Sequence, residues 1–84
     1  MNDPSNTPLI DATGLLCPQP LSMLKQAVKP LSAGAVVHIT VTDPHAELDF
    51  AIWCERFGHG LEKISEASDQ WVFAVVVDAG EAAS

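Results

Sequence analysis

Basic residues are scarce in this chain. Lys25, Lys29, Arg56 and Lys63 stand against eleven acidic residues, for a net charge of -7. Affinity for phosphates comes from clustered Lys and Arg, so direct nucleic-acid binding is disfavoured from the outset. The acidity serves solubility or complements a basic protein partner. Cysteine is scarce too. Cys17 and Cys54 lie far apart, with no disulfide framework and no metal-ligand spacing around either. In a reducing cytosol both stay as thiols, which leaves thiol or persulfide chemistry. Long apolar runs are missing as well. The run ending at Val77 is far short of the ~18 residues that a membrane span needs. No secretory segment is visible. A cytoplasmic protein without membrane association is the expectation.

With 84 residues the chain has room for one domain, near the size where a single core is only just sufficient. Residues 1–8 are polar and proline-bearing, and the last six look frayed. The expected organisation is therefore a flexible lead (1–8), one domain (9–78) and a flexible tail (79–84).

Residues 8–12 read as a short strand ended by the turn signal Thr13-Gly14. After Cys17-Pro18-Gln19-Pro20, the recurrence of Leu21, Leu24, Val28 and Leu31 predicts a helix. Pro18 suits its first position, and Pro30 with Gly34 ends it. Residues 36–42 are a β-branched strand. Asp43-Pro44 then reads as an N-cap and a first helical position. Ala46, Phe50, Trp53 and Phe57 give this second helix a buried stripe, stopped by Gly58 and Gly60. Strands over 61–66 and 71–78 flank a turn at 67–70. The order βαβαββ predicts an α+β fold, a two-layer sandwich with a four-stranded mixed sheet and both helices on one face. A right-handed crossover makes the first two strands parallel, so both helices begin at the same sheet edge, the usual ligand edge.

That edge carries Cys17. A cysteine at a helix start meets the positive end of the helix dipole, which favours the thiolate. Pro18 and Pro20 have no N–H, so the amides of Gln19 and Leu21 are the donors expected near the sulfur. The prolines limit activation and stiffen the display of the thiol. Cys54 falls ten residues into the second helix, ~15 Å from the edge. A disulfide needs Cα atoms within roughly 7 Å, so Cys17 and Cys54 are not expected to pair. A packing role suits Cys54.

Among the other polar residues, His45 and Asp43 belong to the Cys17 edge. Asp49 follows on the second helix, facing solvent or pairing with Arg56 or a partner. His38 reads as a residue of an exposed strand face, and His59 as part of a helix C-terminal cap. The histidines sit on separate elements, so no metal site is expected. Lys25 and Lys29 form either a solvated face or a docking surface.

The run from Leu9 to Pro20 resembles the opening of the TusA/SirA-like proteins, with their Asp-x-x-Gly-x-x-Cys-Pro-x-Pro signature. Thr42-Asp43-Pro44, Asp49, Trp53-Cys54 and Gly58-His59 look like the family's later landmarks. The resemblance covers nearly the whole folded chain. It implies a two-layer α/β sandwich and a sulfur carrier. Cys17 would accept sulfane sulfur from a cysteine desulfurase or a rhodanese-like donor. It would relay that sulfur to an acceptor protein in tRNA thiolation, molybdenum-cofactor maturation or oxidative sulfur metabolism. Pro18 and Pro20 would shape the loop, while Asp43 and Asp49 would lie among the family's characteristic acidic positions. Gln19 and His45, read from their place at the Cys17 edge, complete the expected binding residues. No cofactor is implied, and the chain is expected to act as a monomer. One position departs from the pattern, since Thr42 stands where the family often has the first of two acids. Two other readings remain, a thiol-redox protein with Cys54 as resolving cysteine, and a regulatory or RNA-binding module using Trp71 and Phe73 as an aromatic platform.

Overall fold

The computed structural model describes residues 8–16 and 18–77. Cys17, most of the expected lead, the expected strand end at Asp78 and the tail lie outside the described residues. The elements are β1 (Leu9–Ala12), α1 (Gln19–Val28), β2 (Val36–Val41), α2 (Ala46–Phe57), β3 (Gly60–Glu66) and β4 (Trp71–Val76). The strands form one mixed sheet in the order β1-β2-β4-β3. β1 runs parallel to β2, while β4 runs antiparallel to both β2 and β3. This is the predicted βαβαββ sandwich.

Alternation along the strands decides which face the helices cover. Val37 pairs with Val75 and Ile39 with Phe73, and all four side chains are fully buried. Leu24 and Val28 of α1 and Ala46, Phe50, Trp53 and Cys54 of α2 close over them. Each large apolar side chain buried there contributes about 1.5–3 kcal/mol before chain entropy is counted. Phe57, expected in the buried stripe, is only partly buried at the rim of the cluster. The other sheet face carries no helix. Leu9, His38, Ala74 and Glu62 are cross-strand neighbours there, and His38 is half-buried by them rather than fully exposed.

Several boundaries differ from the sequence reading by one to three residues. α1 starts at Gln19 with Pro18 as its cap, so Pro20 rather than Pro18 is the proline inside the first turn. Its last turn stops at Val28, and Leu31 follows outside the helix, its N–H bonded to the Val28 carbonyl and its side chain partly buried against the core. A proline at position 30 is disfavoured in a continuing helix because its ring meets the preceding turn. α2 ends as expected at Gly58, whose φ of 81° is the left-handed conformation a glycine adopts without strain. The N–H groups of Gly58 and His59 both reach the Cys54 carbonyl. His59 therefore caps with its backbone, and its ring packs against Trp53 with centroids 4.6 Å apart.

β3 is an edge strand with a bulge between Lys63 and Ser65. Lys63 bridges the two layers, its Nζ lying 3.2 Å from Glu66 and 3.6 Å from Glu47 of α2. Among the described residues, no helix is long and apolar enough to cross a membrane.

Candidate functional site

Parallel pairing brings the carboxyl ends of β1 and β2 side by side, with Ala12 opposite Val41. The chain leaving β1 is organised by its own polar side chains. The Asp11 carboxylate accepts the Thr13 hydroxyl at 2.7 Å and the Thr13 N–H at 3.1 Å. These bonds hold the Asp11 carboxyl below its ordinary value. The Leu15 N–H returns to the Ala12 carbonyl, closing a β-turn with Gly14 at φ 79° in its third position. That is a type II turn, whose third position calls for glycine.

A second contact ties this turn to the neighbouring loop. The Gly14 N–H donates to Thr42 Oγ1 at 2.8 Å across 28 residues of sequence. Thr42, for which the sequence suggested no contact of this kind, thus joins the loop before Cys17 to the loop before α2.

The sulfur of Cys17 lies outside the described residues, but its chain neighbours do not. Pro18 and Gln19 are exposed, whereas Pro20 is fully buried and anchors the first turn. The Gln19 N–H, expected to face the sulfur, is given to the Leu16 carbonyl at 2.9 Å.

On the second loop Asp43 is 6% exposed, and its Oδ1 accepts the His45 N–H at 3.0 Å. This is an Asx turn rather than the expected N-cap. Pro44 and His45 occupy that turn, and α2 begins two residues later than expected, at Ala46. The His45 ring is exposed, with Nδ1 3.3 Å from the same Asp43 oxygen. Asp43 and His45 are therefore brought together beside the turn that Thr42 anchors. Asp49 is one turn further along α2, its N–H donated to the His45 carbonyl at 3.3 Å.

Asp49 belongs to a different feature, an open groove of about 340 Å³ between the helices. Leu21 and Lys25 of α1 face Asp49, Ile52, Trp53 and Arg56 of α2 across it. The ion pairs found among the described residues involve His45 and Lys63. Two of the chain's four basic residues, Lys25 and Arg56, line the groove and enter none of those pairs. Sequence reasoning did not find the groove, because helix–helix packing brings its two walls together.

Cys54 is 2% exposed, and burial pushes its thiol up to about 11. It is a poor thiolate at neutral pH. Among the described residues, no group of three or more His, Cys, Asp or Glu converges to hold a metal.

Comparison with known proteins agrees with this geometry. The family model described as Sulfurtransferase TusA matches residues 9–77. A sulfur carrier protein TusA of Pseudomonas putida is 36% identical over 73 residues, which is 87% of this chain and 91% of that protein. The TusA of Pseudomonas syringae pv. syringae is 38% identical over 64 residues, covering 76% of this chain and 74% of that protein. Among solved structures, a SirA-like protein from Desulfitobacterium hafniense superposes with a TM-score of 0.75 at 27% identity. The match covers 83% of this chain and 96% of that one. A family match over residues 9–77, together with the Cys-Pro-x-Pro motif in the sequence, makes this chain a member of the TusA family of sulfur carriers.

Proposed function

We propose that Cys17 carries sulfane sulfur as a persulfide between two partner proteins. The Cys17 thiolate attacks the terminal sulfur of a donor persulfide. A new S–S bond forms, the donor's own S–S bond breaks, and the electron pair leaves on the donor cysteine as a thiolate. The acceptor thiolate then attacks the terminal sulfur on Cys17 in the same way, releasing the Cys17 thiolate. Neither step needs an external oxidant or a cofactor. The supporting observation is the sequence motif Cys17-Pro18-Gln19-Pro20, whose Gln19 begins α1, in a chain whose relatives are named sulfur carriers.

A cysteine desulfurase or a rhodanese-like protein is the proposed donor, and a downstream protein thiol the acceptor, in the cytoplasm. The route served is tRNA thiolation, molybdenum-cofactor maturation or oxidative sulfur metabolism. The groove beside Lys25, Asp49 and Arg56 offers partners a mixed apolar and charged surface. Incubating the chain with a cysteine desulfurase and cysteine should add one sulfur mass to Cys17 by peptide mass spectrometry. Absence of that adduct while Cys17 remains open to alkylation would reject the proposal.

The other two readings find less support. Cys54 is buried and poorly ionised, unsuited to resolving a disulfide. Phe73 and Trp71 pair with Ile39 and Val41 on the helix-covered face, so neither offers RNA a stacking platform.

A further inference from the structure

We infer that Thr42 is a positioning residue for sulfur transfer, its hydroxyl holding the loop that presents Cys17. The inference rests on the persulfide reading of Cys17. Its structural basis is the Gly14 N–H donated to Thr42 Oγ1 at 2.8 Å. Gly14 precedes Cys17 by three residues, within a turn that has two other restraints. The Leu15 N–H bonds to the Ala12 carbonyl, and the Asp11 carboxylate holds Thr13. Both of those restraints are local and fix only the shape of the turn. The Thr42 bond is the long-range one among them, and it fixes where the turn lies relative to β2 and the Asp43-Pro44-His45 turn.

Gly14 is exposed, so water can replace the hydroxyl without leaving a buried donor unsatisfied. The bond is therefore dispensable for folding in a way that a core contact is not. Its remaining consequence is geometric. A nucleophile delivered to two different protein partners gains rate from a fixed approach, and small displacements of the reacting atom are costly. A hydroxyl makes this tie without placing another carboxylate next to the Asp43 charge. A carboxylate in its place would accept the same N–H but add negative charge at the edge where a thiolate must form.

The test uses the full chain and its Thr42→Val, Thr42→Ala and Thr42→Ser variants. A bacterial cysteine desulfurase supplied with cysteine is the probe donor, and the Gly14 amide is followed by hydrogen exchange. Loss of one exposed hydrogen bond predicts a kcat for sulfur uptake about 3- to 10-fold lower in Thr42→Val and Thr42→Ala. The KM for the carrier should stay unchanged, and Thr42→Ser should transfer within about 2-fold of the parent. Gly14 should exchange faster in the Val and Ala variants, with every variant folded at the assay temperature. A parental kcat in both variants lacking the hydroxyl, or a serine variant as slow as valine, would overturn the inference. So would a Gly14 amide exchanging as fast in the parent as in Thr42→Val. A parent chain that gains no sulfur on Cys17 would instead sink the persulfide reading beneath it, a result that Gly14 exchange keeps separate.

Discussion

The ring of Phe50 on α2 meets the ring of Phe73 on β4 edge-on, with centroids 5.7 Å apart and planes at 86°. Both side chains are fully buried, and between them they join the helix layer to the centre of the sheet. Edge-to-face pairs add about 0.5–1.5 kcal/mol to area burial. Phe50→Ala should therefore cost about 3–5 kcal/mol, much of the stability of so small a domain. Phe50→Leu should cost less because it retains most of the volume. Urea unfolding of the two variants measures both.

Cys17→Ser should abolish sulfur uptake with little effect on the unfolding midpoint. Cys54→Ala should retain full uptake. Mass spectrometry of the intact protein after exposure to a charged desulfurase distinguishes them, and labelled sulfur retained by Cys17→Ser would refute the single-site carrier.

The buried Cys54 thiol predicts an alkaline instability. Its folded value is raised from an ordinary 9.0 to about 11, so the folded chain keeps a proton that the unfolded chain loses. Stability from this group is complete below pH 9 and declines as pH rises toward about 11. The full effect is on the order of 2–3 kcal/mol. Denaturant unfolding at pH 8 and above pH 10 should show a steeper loss in the parent than in Cys54→Ala. An identical slope in both would contradict it.

Reversing charge in the interhelical groove should slow partner association. Lys25→Glu with Arg56→Glu is expected to lower the association rate about 3- to 10-fold and to change its salt dependence. Lys29→Glu changes charge on the same helix but outside the groove lining, so it serves as the control. Stopped-flow binding to a desulfurase at two ionic strengths reads the difference.

The Asp43 carboxylate predicts a graded pair. Asp43→Asn keeps an acceptor for the His45 N–H, whereas Asp43→Ala removes it and should cost about 1 kcal/mol more. Thermal unfolding of the two variants provides the comparison.

Element order was legible because each segment carries its own period. The β-branched run at 36–41 and the Phe50–Trp53 spacing each point to one structure. The start of α2 was misplaced because Asp43 suits an N-cap and an Asx turn equally, and sequence does not say which N–H it will meet. The Thr42–Gly14 contact was not legible, since it joins residues 28 apart and depends on strand register. Register also decides that Trp71 and Phe73 face the helices, which a single strand's sequence leaves open. The buried state of Pro20 and the exposure of Pro18 follow from where α1 starts, a boundary offset by only one residue.

The bulge in β3 bears on how this protein tolerates crowding. An edge strand offers a row of unpaired amides and carbonyls on which another chain can lay a strand. At Lys63–Ser65 that row loses its even repeat, and a lysine stands beside the break. A flat, continuous template for polymerisation is thereby interrupted at the exposed end of the sheet. The irregularity beside Lys63, which also contacts Glu47 and Glu66, thus guards against stacking into fibres.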